Sequence, residues 1–280
     1  MPELPEVETM RRGIAAIVGG TVVGAERTAC HLKPIAISPD LPTFRSNTLG
    51  RRAEGVERLG KRVLVRLDDG AAIVFEPRMT GLLLLQDPPD RQHLRFRLTL
   101  TGAAASQLCY WDRRGLGSIT LMLPGECPAR WDSSRLGPDP LQIDARQLQA
   151  RLARSRRAIK VALLDQRALA GIGNLYASEI LNVARIHPEC RCDRLTDDQW
   201  HRLHAAMHQV LDEAIRHEGS TLADGTYRNA RNTPGGYQQH HRVYARAQQL
   251  CRTCGQGVVQ RLVQAQRSTF FCPSCQPVAM

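Results

Sequence analysis

The stretch LCRTCGQGVVQRLVQAQRSTFFCPSCQ, near the end of the chain, restricts the fold more tightly than any other. Cys251 and Cys254 stand two residues apart, as do Cys272 and Cys275, with seventeen residues between the pairs. Each pair suits a tight turn that aims two thiolates at one tetrahedral ion. The intervening VVQRLVQ and STFF alternate like the strands of a hairpin, which would bring the pairs together. The competing reading is four unconnected thiols. Four thiolates close a coordination sphere, whereas a catalytic zinc keeps one position open, so the expected ion is a single structural Zn2+. It would stabilise a hairpin whose own core is too small to do so. Arg261 on the first strand and Arg267 at the turn side of the second would then face either a phosphate or plain solvent.

Upstream, the hydrophobic period changes twice. Residues 5–18 predict a helix, with Val7, Met10, Ile14 and Ile17 on one stripe and Gly19-Gly20 as its end. From 21 to about 122 the pattern is that of strands. In HLRFRLTL, Leu94, Phe96, Leu98 and Leu100 alternate with polar neighbours, and RVLVRL, AAIVF, LLLLQ, QLCYW and GSITLM add further short strands. That succession predicts a sandwich or barrel. Residues 124–142, rich in Pro, Gly and Asp, read as a linker. Helices are expected near 157–168 and 174–185. A longer one follows, striped by Trp200, Leu203, Met207, Val210, Leu211 and Ile215, and then a polar loop over 219–240.

Charge narrows the partner. Among 280 residues the formal net charge is +11, most of the excess being arginine, which suits phosphate backbones or anionic membranes. No apolar run approaches the roughly 20 residues that span a bilayer. The acidic start lacks the apolar stretch of a secretory signal. A cytoplasmic protein with a polyanionic partner is expected. In a reducing compartment a disulfide framework is not expected from nine cysteines, and Cys30, Cys109, Cys127, Cys190 and Cys192 show no ligand spacing.

Two short stretches admit both a chemical and a structural reading. In LLDQRALAGIGNLYASEILNVARIHPE, Gly171-Ile172-Gly173-Asn174 separates two helical patterns. Asn174 is placed to cap the second, and the glycines would let a phosphate approach backbone N–H groups, although any helical corner needs such a turn. The opening MPELPEVETMRRG is the other. With Met1 removed, Pro2 becomes a terminal secondary amine. Such a group titrates near 7.7–8.0, so part of it is neutral and nucleophilic at pH 7. Glu3 and Glu6, one helical turn apart, could donate a proton to a departing oxygen and orient the amine. Pro and Glu also favour the first turn of any helix, and the residues alone leave both readings open.

Together, PELPEVETMRRGI, KVALLDQRALAGIGNLYASEILNVARIHPE and the cysteine-rich tail resemble the formamidopyrimidine-DNA glycosylases, from Pro2 to Gln276 and in the family's order. The resemblance implies an α+β protein in three parts. Residues 1–130 would form an N-terminal helix plus β-sandwich, 131–240 a helical domain with a helix–two-turn–helix motif, and 241–280 a zinc-finger β-hairpin. It implies a bifunctional glycosylase and AP lyase of base-excision repair, a monomer acting on double-stranded DNA that contains oxidised bases or abasic sites. An oxidised purine is flipped out of the duplex. Pro2 attacks the sugar, and the resulting Schiff base is resolved by β,δ-elimination. Glu3 would protonate the ring oxygen with Glu6 in support. Lys61 would serve β-elimination and Arg267 δ-elimination. Asn174 would grip phosphate with Lys160 beside it, Met79 would fill the vacated hole, and His93 would make a further contact. Residues between about 219 and 237 would close over the flipped base.

Three departures from the family's pattern stand out. Glu76 occupies the place of an expected histidine, with Arg78 near enough in sequence to offset its charge. Gly115 replaces a basic residue and Leu116 a wedging phenylalanine, while Arg114 remains to contact the partner base. Arg91-Gln92-His93 stands where the family has a histidine pair. Two other functions remain open at this point. One is an endonuclease VIII-like enzyme for oxidised pyrimidines; the other is a zinc protein that binds damage without cutting.

Overall fold

The computed structural model describes residues 2–86, 88–126 and 136–278. Cys127 and the middle of the expected linker lie outside the described residues. The chain divides into two compact units. The first joins the stretch up to Asp132 to a later one, His217–Gln238; the second holds Ser133–Arg216 and everything from Gln239 onward.

In the first unit, α1 (Leu4–Gly13) buries Leu4, Val7 and Met10 completely. The helix stops at Gly13, earlier than its apolar stripe suggested, and Ala15–Ile17 continues as one 3-10 turn. A side chain at Gly13 would meet the Ala230 methyl at 2.5 Å, so the close packing at this point requires glycine. Two sheets follow. One orders β1 (Thr21–Arg27), β7 (Leu94–Thr101), β8 (Gln107–Asp112) and β6 (Gly81–Leu84). The other orders β2 (Ala36–Ser38), β9 (Ser118–Met122), β5 (Ala72–Glu76), β4 (Arg62–Leu67) and β3 (Ala53–Leu59). All pairs are antiparallel except β2 with β9. Alternate residues such as Val63, Val65, Phe75, Phe96, Leu98 and Tyr110 meet in one core that also takes in Tyr227 and Ala230 from the returning segment.

A helix, α2 (Leu41–Thr48), interrupts the stretch expected to be all strands. Its signals were local: the Asp40 carboxylate accepts the Thr43 N–H at 3.0 Å, and a proline occupies the first turn.

The second unit holds α3 (Ala145–Leu152), α4 (Ile159–Leu163), α5 (Asn174–Ala184) and α6 (Asp197–Arg216), then the hairpin β10 (Gln260–Gln264) and β11 (Arg267–Phe271). The helix expected over 157–168 shortens to five residues. Gln166 explains this, because its amide donates to the Leu164 and Ile172 carbonyls and accepts the Gly171 N–H, making a side-chain-braced turn of what would have been helix. The unforeseen α3 begins with a reciprocal capping box between Asp144 and Gln147.

Candidate active site and metal centre

At the front of α1 the chain is fixed by its acids. Pro2 is buried, and Glu3 and Glu6 are only 5% and 2% exposed. The Glu6 carboxylate reaches back to the Glu3 N–H at 2.9 Å with one oxygen and accepts the Ser220 N–H at 2.8 Å with the other. Ser220 belongs to the returning segment, whose Tyr227 hydroxyl also donates to the Glu6 carbonyl. Gly219 has φ +77°, and a Cβ there would lie 2.8 Å from a Glu6 oxygen, so this approach requires glycine. The loop expected to close over a base is thus the segment that holds Glu6.

Lys61, half-buried, follows Gly60 in the two-residue turn joining β3 to β4. Gly60 has φ +58°, as a tight hairpin with glycine first demands. Across the sheet, Arg62 and Glu76 make a bidentate pair at 3.3 Å, and Arg78 Nε approaches the same carboxylate at 2.8 Å. Glu76 therefore stands between two arginines rather than one. Met79 projects from the turn after β5 and is 38% exposed; Leu116, beyond β8, is 49% exposed, and Arg114 beside it is exposed. Gly115 adopts φ +62°, a conformation that disfavours the basic residue expected there. His93 donates or accepts at Asp90 through Nδ1 (2.8 Å) and packs edge-on against Trp111. It lines a cavity of about 290 Å3 with Arg113, Asp224, Thr226 and Arg228.

In the second unit Lys160 is fully buried, its Nζ 2.6 Å from the Asn174 side-chain oxygen. Asn174 is the first residue of α5; Gly173 is the N-cap, so the expected capping role falls away. The Asn174 amide is used otherwise, donating to the Ser268 carbonyl at 2.8 Å. That bond ties the glycine turn to the residue next to Arg267, which starts β11 and is exposed. Further down α5, Glu179 accepts three consecutive backbone N–H groups from Arg242, Val243 and Tyr244. Asn182 binds Gln276 and Thr253. None of these anchors was foreseen; buried Glu and Asn on an otherwise apolar helix were the available signal.

Cys251, Cys254, Cys272 and Cys275 converge, all four sulfurs lying within 4.8 Å of one another. The Cys251–Cys275 and Cys254–Cys272 separations are 3.9 and 3.8 Å. A tetrahedron with metal–sulfur bonds of about 2.3 Å has edges near that length, so the donor set fits zinc. Backbone N–H groups of Gln256 and Gly257 bring the Cys254 thiol down to about 6, which favours the thiolate that a metal needs. With all four thiolates engaged, these cysteines would hold one ion in a closed site that braces the hairpin.

The described residues thus hold a β-sandwich with a buried Pro-Glu-x-x-Glu helix start, a glycine-turn helical unit and a four-cysteine hairpin. Three family descriptions match: the formamidopyrimidine-DNA glycosylase N-terminal domain over residues 1–119, the H2TH domain of the same enzymes over 136–225, and the zinc finger found in FPG and IleRS over 248–278. The formamidopyrimidine-DNA glycosylase of Thermomicrobium roseum is 40% identical across 99% of this chain and 100% of its own length. That of Bacillus subtilis is 36% identical, covering 99% of each. Among solved structures, the MutM (Fpg) protein of Thermus thermophilus superposes with a TM-score of 0.85 at 36% identity over the whole of both chains. The Lactococcus lactis Fpg in complex with Fapy-dG-containing DNA gives 0.84 at 30% identity, over 98% of this chain and 100% of that one. The chain belongs to the formamidopyrimidine-DNA glycosylase family.

Proposed function

We propose that this chain is a bifunctional DNA glycosylase and AP lyase of base-excision repair, which removes oxidised purines such as 8-oxoguanine and formamidopyrimidines and incises abasic sites. Whole-length kinship with named formamidopyrimidine-DNA glycosylases supports the activity, and solved relatives hold Fapy-dG or abasic DNA. It acts as a monomer on DNA in a bacterial-type cytoplasm; among the described residues no helix is long and apolar enough to cross a membrane. Domain limits at 1–130, 131–240 and 241–280 assign chemistry to the first part, phosphate grip to the second and the zinc hairpin to the third, except that residues 217–238 return to the first part and serve its core and its acids.

The observation that carries the mechanism is the buried acid pair behind Pro2. After removal of Met1, the Pro2 nitrogen attacks the sugar's anomeric carbon. The bond to the base breaks, and the base leaves with its electron pair and a proton. Glu3 donates a proton to the sugar ring oxygen, which opens the ring and yields an iminium. Glu6 has both oxygens committed to backbone N–H groups, so it holds the helix start in place and leaves proton transfer to Glu3. The iminium acidifies the neighbouring carbon, and β-elimination then δ-elimination expel the two phosphates. Lys61 supplies the proton for the first step and Arg267 assists the second. Asn174 and Lys160 seat the backbone from the second unit. Met79, Arg114, Leu116 and His93 contact the duplex around the vacated position. Zinc contributes only the hairpin's shape.

Borohydride reduction of a reaction on 8-oxoguanine duplex tests this. A covalent protein–DNA adduct is expected from the wild type and a clearly lower yield from Pro2→Gly, whose terminal amine is primary and no longer held by the ring; an equal yield from the variant would remove Pro2 as the required nucleophile. Absence of any adduct on lesion DNA would favour a binder without chemistry. Intact-mass measurement must also show the active protein lacking Met1.

A further inference from the structure

Asp112 closes β8 and is wholly buried. One of its oxygens accepts the Thr80 hydroxyl at 2.5 Å and the Arg114 N–H at 3.2 Å; the other accepts the Gly117 N–H at 2.8 Å. Thr80, itself 5% exposed, accepts the Arg114 N–H at 2.9 Å. From β7 the buried Arg95 braces the same segment, donating to the Asp112 carbonyl at 2.8 Å and to the Arg113 carbonyl at 3.4 Å.

A buried carboxylate is costly unless its lone pairs are filled, and removing this one would strand the Thr80 hydroxyl and the Gly117 N–H that it accepts. What a polar knot adds is registry. Here the donors come from two separate loops. Thr80 is the residue after Met79, and the Arg114 and Gly117 amides bracket Leu116. Among the side chains left exposed on these loops are two apolar ones, Met79 and Leu116, beside the charged Arg78, Arg113 and Arg114.

We infer that Thr80 and Asp112 are positioning residues that lock Met79, Arg114 and Leu116 into one constellation, so that filling the vacated hole and reading the orphaned partner base occur as a single event. This rests on the glycosylase reading above. Thr80 touches no DNA in this scheme; it acts through the residues on either side of the knot.

The test compares Thr80→Val, Thr80→Ser and Asp112→Asn. The readouts are the ratio of 8-oxoguanine excision opposite cytosine to that opposite adenine, and the fluorescence of 2-aminopurine placed opposite the lesion. Thr80→Val and Asp112→Asn are expected to reduce the ratio about tenfold or more and to blunt the fluorescence rise, since small misplacements at a site carry such costs. Thr80→Ser, which keeps the hydroxyl, should restore both. A folded Thr80→Val with the wild-type ratio, or a Thr80→Ser no better than valine, overturns the proposal. Should the variants not fold, amide exchange in the wild type decides. Arg114 and Gly117 amides must exchange much more slowly than that of Gly115, and equal rates would show that the knot does not form. Failure of the wild type to trap on lesion DNA would instead strike the glycosylase reading, and the exchange measurement stands apart from it.

Discussion

Glu8, 7% exposed on α1, lies among Arg11, Arg12 and Arg58 at 2.7, 2.8 and 3.1 Å. Burial alone would push its carboxyl up, but hydrogen bonds from Arg11 and Arg12 and the charges of Arg11 and Arg58 outweigh it and bring it down to about 2. A carboxyl lowered by folding stabilises the protein above its unfolded value and loses that contribution as pH falls through the folded one. Between pH 4.5 and 2 the wild type should therefore lose on the order of 2–3 kcal/mol more than Glu8→Gln, as read by urea unfolding across that range. Glu76 offers a second test. Its charge offsets one of two flanking arginines, so Glu76→Gln should tighten non-specific duplex binding and steepen the plot of log affinity against log salt by about one unit. The identity of such residues was legible in the chain, and so was the partnership of Glu76 with Arg78. Arg62 was not, because only the register of β4 with β5 brings it alongside. Asn174 was misread for a similar reason. A capping position looks local, but its amide is claimed by a carbonyl 94 residues away.

The zinc hairpin turns through Ala265 and Gln266, both left-handed at φ +46° and +60°, between the paired residues Gln264 and Arg267. Asparagine and glycine fit that turn without strain. Ala265→Asn with Gln266→Gly should stabilise the hairpin by about 1 kcal/mol, seen as slower amide exchange in β10 and β11. Removing the metal acts in the opposite direction. Chelation, or Cys272→Ser, should release β10 and β11, unseat Arg267 and weaken DNA binding while the sandwich keeps its near-ultraviolet circular dichroism. Unaltered binding after verified zinc loss would end that role for the ion. Among elements, the alternating strands and the long stripe of α6 announced themselves through burial on one face. The short helices did not. In α2 and α3 only Phe44, Thr48, Leu148 and Leu152 are buried, too few to impose a period, and the capping residues were the sole cue.

At the level of the molecule, the first unit is assembled from two distant stretches, and nothing in hydrophobic period could have revealed it. The polar run after α6 reads as a surface loop, yet Tyr227 and Ala230 complete the sandwich core and Ser220 completes the frame around Glu6. A fragment ending at Asp132 lacks all three, and in urea it should unfold without the cooperative transition of the full chain. The composite construction also bears on the order of manufacture. A ribosome delivers the amine-bearing end first, but the backbone group that secures its second acid arrives only with Ser220. The nascent polypeptide thus carries an unfinished warhead for most of its synthesis, armed only when the later segment folds back upon it.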